Sequence, residues 1–138
     1  MPDAPWIAIV DDDASVLNAL ARLLRTRGRV TRTFTSADAF LAALLDSPPE
    51  CLIVDLQMPD MDGFELLRRI AFNKACIPTI VITAHSEPDA RDRAASAGVY
   101  AFLAKPIQDT LLLAAIDDAI GDSRTRGRAR RDDEESEG

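Results

Sequence analysis

Five polar side chains stand behind apolar runs in this sequence, and their types suit one kind of chemistry. Asp11 and Asp12 follow "WIAIV" (6–10), Asp55 follows "CLIV" (51–54), Thr83 follows "IPTIVI" (77–82), and Lys105 comes shortly after "VYAFL" (99–103). If those runs are strands of one sheet, three carboxylates, a hydroxyl and an ammonium converge. Two like charges about 4 Å apart repel by about 4 kcal/mol at an effective dielectric constant of about 20, so one lysine cannot balance three acids. A hard divalent cation can. Mg²⁺ suits the set because it takes one or two carboxylates, keeps several waters and leaves room for a phosphoryl oxygen. Taken singly, each residue has an ordinary explanation: aspartates end strands as turn or cap residues, and threonine and lysine populate surfaces. The joint placement carries the inference. Asp13, third in "IVDDD", is set apart as the cap of a helix beginning at Ala14 or Ser15.

The elements that must position these residues are legible in the apolar spacing. The four apolar runs are short and several are rich in β-branched residues, as strands buried on both faces are. "VTRTF" (30–34) alternates Val30, Arg32 and Phe34 against Thr31 and Thr33, which predicts a second strand near a sheet edge where Arg32 reaches water. Between the strands lie helical stripes: Val16, Leu20, Leu23 and Leu24; Phe40, Leu41, Leu44 and Leu45; Phe64, Leu67, Ile70 and Ala71. Gly28 and Gly98 end the first and fourth helices, and "SPPE" separates the second helix from the third strand. A last helix near 108–120 carries Leu111, Leu112, Ala115, Ile116 and Ala119. The order βαβαβαβαβα favours an α/β fold, a parallel sheet with helices on both faces and right-handed crossovers. In such a sheet, ligands bind beyond the carboxyl ends of the strands, where the five polar residues stand.

Length and composition bound the rest. A chain of 138 residues suits one domain, over 1–120, followed from Gly121 by a disordered polyampholyte tail in which five arginines precede five acids and no large apolar residue occurs. A net charge of −7 argues against nucleic-acid binding by this chain alone. No apolar run approaches the roughly 18 residues that span a bilayer, and "MPDAPW" lacks the features of a signal peptide, so no membrane association and a cytoplasmic location are expected. Cys51 and Cys76 have no metal or disulfide spacing and are read as apolar filler.

The motifs "IVDDD", "LIVDLQMPDMDGFELLRRI", "VITAHS" and "FLAKPI" resemble those of response-regulator receiver domains, over residues 6 to about 120. "SADAFL" and "VITAH" are most similar to the receivers of FixJ-type regulators. The resemblance implies a flavodoxin-like (βα)5 fold with strand order 2-1-3-4-5. It implies that Asp55 accepts a phosphoryl group from a sensor histidine kinase or a histidine phosphotransfer protein. Mg²⁺ would be held by Asp12, Asp55 and the backbone carbonyl of Gln57, with Asp11 acting through a water. Lys105 would pair with one phosphoryl oxygen, and Thr83 would donate to another. Pro106 after Lys105 makes a cis peptide accessible, as in the family. Thr83 and Phe102 would form the switch, with Tyr100 adding to the same signalling face. Gln57 and His85 would border the route of attacking water and modulate phosphoryl lifetime. "MPDMDGFELL" is chiefly architectural, with Pro59 and Gly63 shaping a loop and Asp62 capping the third helix.

The function so implied is a single-domain regulator that catalyses only its own phosphorylation and dephosphorylation and signals to an unidentified downstream protein. Whether phosphorylation produces a homodimer stays open at this point. A piece of a longer DNA-binding transcription factor is an alternative, although no apolar periodic segment follows residue 120 and the arginine-rich tail slightly favours a native end. The rival from another class is a Mg²⁺-dependent phosphohydrolase with Asp11 as nucleophile and Asp13 as general acid/base. A degenerate receiver serving only as a binding surface is disfavoured because Asp12, Asp55, Thr83 and Lys105 are all present.

Overall fold

A computed structural model of the chain describes residues 5–56, 63–72, 77–83 and 90–121. Its elements alternate: β1 (Ile7–Val10), α1 (Ala14–Arg25), β2 (Thr31–Phe34), α2 (Ala37–Leu44), β3 (Cys51–Asp55), α3 (Gly63–Phe72), β4 (Thr79–Thr83), α4 (Ala90–Ser96) and β5 (Ala101–Ala104). A fifth helix, α5, occupies residues 109–121. The five strands are parallel in the order β2-β1-β3-β4-β5, as the resemblance implies.

Strand alternation sorts the core into two layers. Ala8, Val10, Leu52, Val54 and Val81 pack with Phe40 and Leu44 of α2 and with Leu66, Leu67 and Ile70 of α3. Ile7, Ile9, Cys51, Ile53, Ile80 and Ile82 face the other way, against Leu17, Leu20 and Leu24 of α1 and Leu112, Ile116 and Ala119 of α5. Helices on both faces explain why β1, β3 and β4 are buried throughout, and why they read as continuous apolar runs rather than alternating ones. Cys51 is part of this packing, and burial pushes its thiol up to about 12, consistent with apolar filler.

Turn chemistry punctuates the elements. Asp13 caps α1 by accepting from the N–H groups of Ser15 (2.9 Å) and Val16 (3.4 Å), and Ser36 caps α2 through Ala39 N–H (3.2 Å). Gly28, at φ 72°, supplies the left-handed turn after α1, where Arg29 N–H returns to the Leu24 carbonyl. Gly98, at φ 80°, does the same after α4.

Several expectations need correction. The fourth strand starts at Thr79 rather than residue 77, and the fifth starts at Ala101 rather than residue 99. Tyr100 and Val30 lie just outside the strands that their apolar runs predict. β5 is half-buried rather than buried on both faces, because it is the sheet edge beyond β4. Leu45, the C-cap of α2, is 82% exposed because the buried stripe of the helix runs through Ala37, Phe40, Ala43 and Leu44 and position 45 falls off that face. Leu17, absent from the anticipated stripe, is buried on α1. Arg32 is exposed on edge strand β2 as expected, with its guanidinium 4.9 Å from the Trp6 ring centroid and 5.5 Å from that of Phe34. Gly121, expected to begin the tail, closes α5 instead, and Pro59, Asp62, Cys76 and residues 122–138 lie outside the described residues.

Phe40 is fully buried, edge-on to Phe34 at 5.6 Å between ring centroids. Phe40→Ala is therefore expected to cost about 3–5 kcal/mol in urea unfolding, and Asp13→Ala about 1 kcal/mol through the lost cap. A loss at Phe40 no larger than that at Asp13 would contradict this account of the core.

Candidate functional site

The strand register brings the charged residues to one rim. Val10 pairs with Val54, so Asp11 and Asp55 leave neighbouring strands at the same level. Asp55 pairs with Ile82 and Thr83 with Ala104, which places Lys105 one step beyond β5. Backbone hydrogen bonds extend past the strand ends, from Asp11 N–H to the Phe34 carbonyl (3.1 Å) and from Lys105 N–H to the Thr83 carbonyl (2.8 Å). The Lys105–Pro106 peptide is cis, as the resemblance implies.

Side chains close the site. The Lys105 ammonium donates to both Asp11 Oδ2 and Asp55 Oδ2, each at 3.2 Å. The second oxygen of Asp11 accepts from Asp13 N–H at 2.9 Å, a local turn that fixes the carboxylate from its own strand end. Asp11 and Asp55 are buried, Asp12 is exposed, and one oxygen from each of the three lies within 4.8 Å of the others. The arrangement is a carboxylate cradle closed on one side by an ammonium and open on the side of Asp12.

The electrostatics reflect that imbalance. Burial raises Asp11 above the usual 3.8; the Asp55 charge adds to the rise, while the Asp13 N–H and Lys105 oppose it. For Lys105, burial pulls the ammonium down, but Asp55 and Asp11 together reverse this and leave its pKa above 10.5. The stability contributed by Lys105 is thus complete below 10.5 and lost as pH rises through its raised value. Asp11 has the same sign at the acid end: its contribution is complete below 3.8 and lost as pH rises through its raised value, so ionised Asp11 burdens the fold.

Thr83 is buried at the end of β4. It comes two residues after Val81, and Val81 pairs with Phe102, so alternation puts Thr83 and Phe102 at diagonal positions on one face of the sheet. Phe102 packs half-buried against the core layer of α2 and α3. Tyr100 is exposed just before β5, its N–H bonded to the Thr79 carbonyl at 2.8 Å. Gln57 and His85 lie outside the described residues.

Residues 7–117 match the family described as the response regulator receiver domain. The chain belongs to that family. It is 42% identical over 113 residues to the transcriptional regulatory protein FixJ of Rhizobium meliloti, a span covering 82% of this chain and 55% of that protein. It is 39% identical over 112 residues to the DNA-binding transcriptional regulator NtrC of Proteus hauseri, covering 81% of this chain and 24% of that protein. The receiver thus spans about half of one relative and a quarter of the other. Among solved structures, FixJ-N is similar with a TM-score of 0.79 and 39% identity, covering 87% of this chain and 96% of that one. The response regulator StyR has a TM-score of 0.86 at 36% identity, covering 98% of this chain and 68% of that one.

Two features of the site are absent from the sequence reading, and only one of them leaves a signal in the sequence. The resemblance gives Lys105 a phosphoryl oxygen alone as its partner, whereas here it bridges two carboxylates. The turn from Asp13 N–H to Asp11 does leave a signal, the Asp-x-Asp spacing of a side chain that accepts from the backbone two residues on.

Since ionised Asp11 burdens the fold, Asp11→Asn is expected to stabilise the receiver in metal-free solution. The advantage should widen as pH rises through the carboxylate range and vanish below it. Urea unfolding across pH checks the sign, and a variant less stable than the parent at neutral pH would refute it.

Proposed function

We propose that Asp55 is the phosphoacceptor of this receiver and that a sensor histidine kinase or a histidine phosphotransfer protein is the donor. The observation that carries the reading is the contact of one lysine with Asp55 at a rim shared with two further aspartates. An oxygen of Asp55 bonds to phosphorus as the phosphorus–nitrogen bond of a phosphohistidine breaks, and the imidazole nitrogen keeps the electron pair. Lys105 holds Asp55 before transfer and is close enough to pair with a phosphoryl oxygen afterwards. The Thr83 hydroxyl donates to a second oxygen. Attack of water on phosphorus later releases phosphate and restores the carboxylate, so the only reaction is the receiver's own phosphorylation and dephosphorylation.

Among the described residues the donor set suits Mg²⁺: carboxylate oxygens, three formal negative charges facing one ammonium, and an exposed side at Asp12. Asp12 and Asp55 would hold the ion directly with the Gln57 carbonyl, and Asp11 through a water. When bound, Mg²⁺ supplies charge that offsets the transferring phosphoryl oxygens.

Output is the movement of Thr83 toward the phosphoryl group and of Phe102 into the space it leaves, altering the surface formed by the fourth and fifth elements, Tyr100 included. The receiver occupies residues 1–120, acts in the cytoplasm and signals to a downstream protein. The named relatives are transcriptional regulators of greater length, which supports a second reading in which this receiver serves a DNA-binding regulator.

The phosphohydrolase reading loses support in the geometry. Asp11 is wholly buried and its oxygens are engaged by Asp13 N–H and Lys105, while the Asp13 carboxylate is turned onto the first turn of α1. Acetyl phosphate and Mg²⁺ should add one phosphoryl group to the parent chain, located on Asp55 by peptide mapping. Asp55→Asn should take none, whereas Asp11→Asn should still carry label on Asp55 at a reduced rate. Label on Asp11, or full labelling of Asp55→Asn, would overturn the assignment.

A further inference from the structure

The approach of α3 to the end of β3 singles out Gly63, whose role depends on Asp55 being the acceptor. Gly63 is the first residue of α3 and is buried. Its N–H donates to the Leu56 carbonyl at 3.1 Å, and Leu56 N–H donates to the Ile82 carbonyl at 3.2 Å. Leu56, the residue after Asp55, is therefore held from both sides, by β4 and by the first residue of α3. A Cβ at position 63 would lie 2.8 Å from Leu56 Cδ2, 2.9 Å from Leu56 Cα and 3.1 Å from the Asp55 carbonyl oxygen. Ordinary contacts of a Cβ fall at 3.4–4 Å. Gly28 and Gly98 are the opposite case: their φ angles of 72° and 80° suit glycine, and a Cβ at either would meet nothing within 4 Å. At position 63 the requirement is room.

Two of the three atoms in the way are backbone, and they belong to Asp55 and its neighbour. A methyl group there cannot be absorbed by a side-chain rotation alone; it must move α3 or the end of β3 by about half an ångström. Asp55 has little tolerance for that, because its carboxylate must reach Lys105 at 3.2 Å and share a 4.8 Å cluster with Asp11 and Asp12. We infer that Gly63 is a positioning residue: by lacking a side chain it lets α3 close onto Asp55 and Leu56, and so keeps the acceptor carboxylate in line with Asp12 and Lys105. Displacement of a reacting group by about 1 Å can cost about a hundredfold in rate, so a shift of half that size is expected to cost roughly tenfold.

The test compares the full chain with Gly63→Ala, Gly28→Ala, and the pair Leu56→Ala, Gly63→Ala. Each is read for labelling rate by acetyl phosphate at saturating Mg²⁺, for the midpoint of a Mg²⁺ titration followed by NMR, and for urea unfolding. Rates and midpoints are referred to the folded fraction. Gly63→Ala should label roughly tenfold more slowly and need roughly tenfold more Mg²⁺. Gly28→Ala should unfold more easily yet match the parent in rate and midpoint. The paired variant should be less stable still, because Leu56 is a buried core side chain, and should remain slow, because removing that side chain leaves Leu56 Cα and the Asp55 oxygen in place. Parental behaviour of Gly63→Ala, or recovery of rate and midpoint in the pair, would overturn the inference. So would failure of both Gly63 variants to fold, since the glycine would then serve folding alone. If the parent itself takes no label, the acceptor assignment fails, and the Mg²⁺ midpoints still decide whether Gly63 positions the cluster.

Discussion

The Lys105 ammonium, 3.2 Å from both Asp11 and Asp55, holds together charges that the fold brings close and that their mutual repulsion would otherwise force apart. Asp11 and Asp55 are buried at adjacent strand ends by the register of β1 against β3, so their repulsion cannot be relieved by moving into water. One ammonium stabilises the pair, and Asp12 at the exposed lip adds a further negative charge. The rim therefore keeps an unsatisfied demand for positive charge. That demand links structure to the proposed function: the carboxylate cluster suits a divalent cation, and with Asp55 as acceptor the site would respond to any change of charge there.

The rest of the molecule can be understood as support for this rim. Parallel strands with helices on both faces put all five carboxyl ends on one side, and the order β2-β1-β3-β4-β5 puts Asp11 and Asp55 on neighbouring strands. The fully buried strands β1, β3 and β4 give the site a rigid floor. The half-buried edge strand β5 carries Phe102 and leads into Lys105, so charge sensing and the candidate switch share the least enclosed of the strands that end at the site. Under the proposed function, Thr83 and Phe102 on one face of the sheet would supply a short physical path between the phosphoryl position and the surface near Tyr100.

Much of this is legible in the sequence because it depends on local pattern. Runs such as "CLIV" and "TIVI" can be little other than buried strands in a chain that also carries helical stripes, and a strand-end aspartate inherits its place from the strand. Asp13 is readable as a cap for the same reason. What cannot be read is which apolar run lies at the second edge, opposite β2, and the distances between chain-distant atoms. The half-burial of β5 is a consequence of strand order, which only the resemblance supplies. Leu45 continues the apolar run but falls off the face of α2 that is buried, which small Ala37 and Ala43 share with Phe40 and Leu44, and alanines are weak markers of a face. The bridge from Lys105 to Asp11 spans 94 positions, and the lack of room at Gly63 involves backbone atoms of Asp55 and Leu56, neither of which leaves a trace in composition or spacing.

The rim binds a divalent cation, on this view, because its carboxylates outnumber its ammonium. The most direct measurement is a calorimetric Mg²⁺ titration of the unphosphorylated chain beside Asp12→Ala, which removes the exposed carboxylate without disturbing the buried pair. One saturable site is predicted in the parent and at least a tenfold weaker one in the variant, equivalent to about 1.4 kcal/mol. No saturable binding in the parent, or equal affinity in the two proteins, would contradict it.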